Sequence, residues 1–211
     1  MPMENFFTYK TVENLTVALP ESAVLSRLGR NRFLSNISNS EQVKLKMLML
    51  KAFAQLRPRG RWMLQSIVDR TDREVILPGN RVLHSEAFAR FCGDAPLLWL
   101  GAVTVGSGIA DLMSDTSAAI SEKVVFDAVG SECADDCLGN LQNLAALELA
   151  RHNLIMQKMR FSPGYGNLNL GVQEIFFDLL QLTELGMTLT ESKIIQPEKS
   201  VTAFAAVLKM N

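Results

Sequence analysis

The longest stretch without a charged residue, 95–110, constrains the fold of this chain more than any other segment. It is 16 residues long and contains Gly101, Gly106 and Gly108. A helix that crosses a bilayer needs about 20 consecutive apolar residues, so this stretch is too short to span a membrane. Its β-rich first part, 97–105, together with its glycines, predicts a buried strand that runs into a turn.

Helices and strands are predicted on both sides of this strand, in irregular order. Ser38 and Glu41 have the spacing of a capping box, which predicts a helix that continues to about Leu56. Apolar periodicity and turn residues predict further helices at 21–28, 85–91, 121–129, 133–158 and 172–186, and strands at 11–19, 74–77 and 200–208. Gly130-Ser131 separates the helices 121–129 and 133–158. Since the order is not a regular βαβ succession, the 211 residues predict a single α+β domain with a sheet.

Composition gives no support for a nucleic-acid or membrane partner. The formal net charge is -1 and 20% of the residues are charged. Segment 44–73 is locally basic, and it can be either a solvated face or a docking site for an acidic protein surface. The first ten residues lack the basic and long apolar regions of a signal peptide.

The cysteines favour a reducing compartment. Three is an odd number in a chain without a predicted export signal, which favours buried, reduced thiols and a cytoplasmic location. With only two histidines and no Cys-x-x-Cys, the sequence predicts no metal site. The thiols in question are Cys92, Cys133 and Cys137.

The first candidate site is Gly106-Ser107-Gly108, which lies between a predicted strand and a predicted helix. This arrangement is superficially that of a dinucleotide-binding loop or a Rossmann-type methyltransferase. Asp111, however, stands at the third glycine position, where the loop needs a small residue. Helices also dominate the following region, so a plain strand-to-helix turn is favoured over a nucleotide loop.

The second candidate site is Arg160-Phe161-Ser162-Pro163-Gly164-Tyr165-Gly166. Pro163 fixes its own φ, and Gly164 can adopt a positive φ and let a ligand approach the backbone. The guanidinium of Arg160 offers a fork of donors that suits a carboxylate or a phosphate. The segment therefore predicts a ligand-binding turn.

Three motifs in order resemble the C-terminal activation domain of vitamin B12-dependent methionine synthase, and in particular its free-standing bacterial relatives. They are the Arg160 turn, then Leu189-Thr190-Glu191-Ser192, then Pro197-x-Lys199-Ser200-Val201-Thr202-Ala203. Weaker similarity extends back through 134–135 and 126–131 to 102–106, and residues 1–70 match least. The resemblance implies a mixed, largely antiparallel twisted sheet packed with helices.

The resemblance also implies a ligand and a role. The ligand would be S-adenosylmethionine, used in the reductive methylation that returns inactive cob(II)alamin to methylcobalamin. Cobalamin would be held by a partner, either a cobalamin-binding methionine synthase or another corrinoid protein. A flavodoxin-like or other reductase would supply the electron. The chain would not be a complete enzyme alone.

The same resemblance suggests contacts between the turn and this ligand. Arg160 would pair with the carboxylate of S-adenosylmethionine, and the backbone of Ser162 would contact the nucleoside. Gly164 would give access to the backbone, and Tyr165 would supply a ring face and a hydroxyl.

Two carboxylates complete the candidate set. Glu148 falls nearest to the binding glutamate of the family, although it can equally be a carboxylate on a helix surface. Glu191 would support the site by capping a turn or by orienting Arg160.

Departures from the family pattern support an alternative function. Asn167-Leu168-Asn169 stands where the full-length enzyme has Cys-Pro, and the later tyrosine-bearing strand of the family has no counterpart in this sequence. A non-catalytic module that docks on a corrinoid protein without using S-adenosylmethionine is therefore the alternative hypothesis.

Overall fold

A computed structural model describes residues 6–29 and 38–210. Its helices are α1 (Glu21–Arg27), α2 (Asn39–Phe53), α3 (Glu86–Cys92), α4 (Gly108–Ser114), α5 (Ile120–Ala150) and α6 (Gln173–Leu180). Its strands are β1 (Lys10–Val12), β2 (Arg59–Ser66), β3 (Asp69–Arg70), β4 (Glu74–Leu77), β5 (Arg81–His84), β6 (Leu97–Thr104), β7 (Leu154–Met156), β8 (Thr188–Leu189), β9 (Ile195–Gln196) and β10 (Ser200–Lys209).

A five-stranded sheet in the order β1-β2-β6-β10-β7 forms the centre of the molecule. All of its strand pairs are antiparallel, and β6 pairs with β2 and β10 along its whole length. Every residue of β6 is buried. The predicted strand and the predicted α+β fold with a largely antiparallel sheet are therefore confirmed.

The sheet carries a hydrophobic core on each face, because successive side chains of a strand point to opposite sides. Trp99 and Val103 of β6 face a core shared with α2 and α5. Leu98 and Leu100 face the other core, which contains aromatic residues from α3, α6 and β10. These aromatic residues include Phe88, Phe176 and Phe204.

Helix α5 is continuous through Gly130-Ser131, so the predicted break between two helices was wrong. A Cβ atom at Gly130 would lie 2.9 Å from Lys199 Cγ and 3.0 Å from Ile109 Cγ1. The glycine is needed for close packing against these neighbours, and this packing stabilises the helix despite the low helix propensity of glycine. The helix also ends at Ala150, before the predicted end, and strand β7 follows it.

Strand β2 lies inside the basic segment 44–73 and was not predicted. Arg61 on this strand is only 6% exposed. Its guanidinium donates to the carbonyl oxygens of Leu180 (2.9 Å) and Gln181 (2.7 Å) and pairs with Glu184 (2.8 Å). The segment is therefore not a uniform solvated face. Next to β2, at the edge of the sheet, β1 comprises only three residues, so the predicted strand at 11–19 was too long.

Candidate functional site

The turn that begins at Arg160 forms one wall of an open cleft of about 480 Å³. The opposite wall is the face of α5 that carries Asp135. The cleft is lined by Asp135, Lys158, Arg160, Phe161, Ser162, Tyr165 and Gly166. Two cations and one carboxylate thus surround a space that is open to ligands.

Backbone and aromatic contacts fix the start of the turn to the sheet. Phe161 exchanges two backbone hydrogen bonds with Phe204 of β10, at 2.9 and 2.8 Å. Its ring lies in a cluster with Phe88 and Phe91 of α3, at centroid distances of 5.4 and 5.3 Å. Because the backbone of Phe161 is bonded to β10 and its ring is packed against α3, the position of the neighbouring residue Arg160 at the edge of the sheet is fixed.

The turn itself closes through Gly164, whose φ is +90°. Its N–H donates to the carbonyl oxygen of Leu168 at 2.9 Å, and Tyr165 N–H donates to Ser162 O at 3.1 Å. A residue with a side chain rarely adopts such a φ, which explains the glycine at this position. The side chain of Tyr165 is 70% exposed, so its ring is accessible from the cleft.

Asn167 attaches the end of the turn to α3. Its Oδ1 accepts hydrogen bonds from Ser85 Oγ at 2.5 Å and from the backbone N–H of Ala87 at 3.3 Å. Ser85 is the residue that caps α3, with its Oγ accepting from Phe88 N–H at 3.0 Å. The residue that departs from the family pattern therefore holds the turn against a helix start.

Arg160 lies along α5. Its Nη2 is 2.9 Å from Asp135 Oδ1, and its Nη1 is 3.4 Å from Gln142 Oε1. A Cβ atom at Gly139 would lie 3.3 Å from the same Nη1. The side chain of Arg160 is 24% exposed and that of Asp135 is 66% exposed. The cleft thus presents a cation and an acid side by side, with the acid more accessible.

Additional negative charge surrounds this pair on α5. Burial raises the pKa of Asp136, and the neighbouring carboxylates Asp135 and Glu132 raise it further, whereas Arg160 opposes them. Asp136 and Glu132 do not line the cleft themselves, and Glu132 forms an ion pair with Arg27, so Asp135 is the carboxylate that a ligand in the cleft would meet.

The structure brings most, but not all, of the sequence-predicted site residues together. Arg160, Ser162 and Tyr165 line the cleft, and Gly164 lies in the same turn. Glu191 is exposed in the turn between β8 and β9 and does not line the cleft.

Glu148 lies apart from the cleft and forms an ion pair with Lys10 of β1. It is separated from Asp135 by about 20 Å along α5 and by about 140° around it. The carboxylate beside Arg160 is therefore Asp135, which was not among the predicted site residues. The weak similarity at Ala134-Asp135 was the signal that could have identified it.

The third motif has a structural role outside the cleft. Lys199 Nζ donates to Asp127 Oδ1 at 2.6 Å and to Ser131 Oγ at 3.0 Å. These contacts join the segment before β10 to α5, and Ser200 Oγ bonds Thr104 Oγ1 at 2.9 Å in the adjacent strand. The two similar segments, 126–131 and 197–203, therefore meet across the core.

Gly106 and Gly108 pack against neighbouring residues of the protein itself. A Cβ atom at Gly108 would lie 2.5 Å from the carbonyl oxygen of Gln55, and Gly106, at φ +83°, adjoins Arg57. The strands are also antiparallel, whereas a dinucleotide-binding loop belongs to a parallel sheet. The nucleotide-loop alternative was therefore wrong.

No helix within residues 6–29 and 38–210 is long and apolar enough to cross a membrane. In the same ranges, no group of three or more histidine, cysteine or acidic side chains is arranged to hold a metal ion.

The fold and the cleft define an α+β domain with a curled antiparallel sheet and a polar ligand-sized site at the edge of that sheet. Among solved structures, the crystal structure of the MetH reactivation domain bound to AdoHcy is similar to it, with a TM-score of 0.67 and 20% sequence identity. The match covers 95% of this chain and 78% of that chain, so it extends into residues 1–70. No protein-family model and no curated protein sequence matches. The chain therefore has the fold of the MetH reactivation domain, and the resemblance predicted from the three motifs is confirmed at the level of the fold.

Proposed function

We propose that this chain binds S-adenosylmethionine in the Arg160 cleft and assists the reductive methylation of a cobalamin held by a partner protein. The observation that carries the proposal is the adjacent pair of opposite charges, Arg160 and Asp135, beside the Ser-Pro-Gly-Tyr turn. The fold is that of a reactivation domain whose crystal structure contains AdoHcy, S-adenosylhomocysteine, the demethylated product of the same ligand.

The charges of the cleft match the amino-acid end of S-adenosylmethionine. Arg160 donates hydrogen bonds from its guanidinium fork to the α-carboxylate, and Asp135 accepts hydrogen bonds from the α-ammonium. Tyr165 offers an exposed ring to the adenine, and the backbone of Ser162 and Gly164 lies along the nucleoside. Because Arg160 and Asp135 now pair with each other, the ligand replaces one ion pair by two.

The proposed methylation of cobalamin balances in atoms and electrons when two other proteins take part, a corrinoid protein and a reductase. The partner's cobalamin would supply the methyl acceptor: one electron from a flavodoxin-like or other reductase would reduce its cob(II)alamin form, and the methyl group of S-adenosylmethionine would then be transferred to it. Methylcobalamin and S-adenosylhomocysteine are the products. The contribution of this chain is to hold the sulfonium ligand and to orient its methyl group toward the partner.

Isothermal titration calorimetry with S-adenosylmethionine and S-adenosylhomocysteine tests the proposal. We expect Arg160→Ala to weaken binding by about 1.5–3 kcal/mol, because a charged hydrogen-bond partner is lost. Arg81→Ala is the matched control, since Arg81 forms an ion pair with Asp178 and does not line the cleft. Absence of binding, with and without a cobalamin-loaded partner, would rule out the ligand.

A second candidate function is a docking module that does not use the ligand. Two exposed side chains, Met159 and Tyr165, each 70% exposed, stand beside the cleft and suit a contact with another protein. In this case a cobalamin-loaded methionine synthase fragment would bind equally well with or without S-adenosylmethionine. Loss of partner binding on Tyr165→Ala, combined with unchanged ligand affinity, would favour docking over ligand binding as the role of this residue.

A further inference from the structure

Gln142 is a buried amide that connects Arg160 to the backbone of the preceding segment. It is only 6% exposed. Its Nε2 donates to the carbonyl oxygens of Gln157 (2.8 Å) and Lys158 (3.3 Å), and its Oε1 accepts from Arg160 Nη1 (3.4 Å). The two carbonyls fix which end of the amide is the donor, and this leaves the oxygen facing the guanidinium.

The helix face around Gln142 is shaped to receive an arginine. Asp135, Gly139 and Gln142 are spaced i, i+4 and i+7 on α5, so they lie on one face of the helix. Glycine in a helix interior costs about 1 kcal/mol relative to alanine. At position 139, the missing side chain leaves room for the guanidinium, since a Cβ atom there would be 3.3 Å from Nη1.

Orientation matters because an arginine side chain has many rotamers. Holding a long side chain in one geometry costs up to about 2 kcal/mol of conformational entropy. A neutral acceptor such as Gln142 Oε1 can hold one edge of the guanidinium without supplying a competing negative charge, and it leaves the Nη2 edge for the ligand. Asp135 pairs with this Nη2 edge in the structure, and because its side chain is 66% exposed it can turn from Arg160 to the ligand ammonium.

We propose that Gln142 is a positioning residue that orients Arg160 toward the carboxylate of the ligand, with Gly139 providing the space. This inference rests on the proposed binding of S-adenosylmethionine. Gln142 acts on the ligand through the guanidinium of Arg160, while its bonds to the carbonyls of Gln157 and Lys158 hold its own amide in place, and it does not itself contact the ligand. Its effect is therefore confined to ligands that carry the carboxylate.

The experiment compares two ligands on Gln142→Leu. S-Adenosylmethionine has the carboxylate, whereas decarboxylated S-adenosylmethionine lacks it but retains the ammonium, sulfonium and adenosine. We expect the dissociation constant of the first to rise about tenfold and that of the second to stay within about twofold. The matched control is Gln173→Leu, because Gln173 is also 6% exposed but accepts its hydrogen bond from Thr202, on the other face of the sheet.

Each outcome separates the inference from the proposed function. If wild-type protein binds neither ligand, the proposed function fails and the inference fails with it. If wild-type protein binds S-adenosylmethionine but Gln142→Leu weakens both ligands equally, or neither, only the inference is overturned. Should Gln142→Leu not fold, Gly139→Ala keeps the amide bonds of Gln142 and places a methyl group against Arg160 Nη1, where a Cβ atom would lie 3.3 Å away. It must then weaken only the carboxylate-bearing ligand.

Discussion

The contact between Gly101 and Trp99 gives the most direct test of how the central sheet is packed. Both residues lie on β6, two positions apart, so they share a face of the sheet. A Cβ atom at Gly101 would lie within 2.6 Å of three ring atoms of Trp99, whereas ordinary contact begins at 3.4 Å. The indole ring would have to move by about 1 Å or more in a close-packed core.

We therefore expect Gly101→Ala to lower the free energy of unfolding by about 3 kcal/mol, the upper end of the range for overpacking. Trp99 Nε1 is buried and has no hydrogen-bond partner, so Trp99→Phe removes an unsatisfied donor along with part of the ring. In the Trp99→Phe background, Gly101→Ala should cost at least 1 kcal/mol less, because the smaller ring leaves space.

Urea unfolding followed by circular dichroism measures the four free energies of this double-mutant cycle. Ala102→Gly, on the opposite face of the same strand, controls for changes in strand propensity. The packing of β6 would be refuted if Gly101→Ala unfolded at the wild-type urea midpoint, or if the two substitutions were additive.

Three further predictions concern the ion pair, the thiols and the turn. Lys199→Met should lower the free energy of unfolding by about 1–2 kcal/mol and leave ligand affinity unchanged, whereas Lys193→Met, in an exposed ion pair, should lower it by less than about 0.5 kcal/mol. Urea unfolding measures the two free energies, and calorimetry measures the ligand affinity. A loss of affinity with Lys199→Met would place Lys199 in the site. Burial raises the pKa of each cysteine thiol from 9.0 to about 12, so the stability that the thiols contribute should be complete below pH 9 and should be lost as the pH rises toward 12. Labelling with a thiol reagent at pH 8 should be fast only in denaturant, and rapid labelling of the native protein would contradict burial of Cys92, Cys133 and Cys137. Asn167→Ala should speed hydrogen exchange at the amide of Gly164 while leaving the amides of β6 unchanged, since it frees the turn from α3; equal acceleration at both would mean global destabilisation instead.

Local signals in the sequence were sufficient for many elements. The capping box at Ser38 and Glu41 is present as predicted, and the uncharged run gives a fully buried strand. Gly164 adopts the positive φ that the turn requires. In each case the determining interactions lie within a few residues, or within the burial pattern of one strand.

The elements that the sequence did not reveal depend on contacts between distant residues. Arg61 is an unusual residue for a buried strand, and its carbonyl partners at 180 and 181 are about 120 positions away. Gly130 is typical of a helix break, but packing against Lys199 and Ile109 keeps α5 intact.

The residues of the candidate site also fall into those determined by local sequence and those determined by contacts between distant residues. The motif predicted Arg160 and its turn, because the residues that shape the turn are adjacent in sequence. Asp135 and Gln142 reach Arg160 only because β7 runs back along α5 and pairs with β10. Glu148 was chosen by counting along the sequence, and the counting could not show which face of the helix it occupies.

The central claim is that the Arg160 cleft binds the amino-acid and nucleoside parts of S-adenosylmethionine. Titration of ¹⁵N-labelled protein with S-adenosylhomocysteine, followed by amide chemical shifts, locates the ligand directly. Binding in the cleft predicts the largest shifts at Tyr165, Gly166 and Asp135, with small shifts at Gly106 and Gly108. Shifts concentrated at Gly106 and Gly108, or no saturable shifts in the presence of a cobalamin-loaded partner, would contradict the claim.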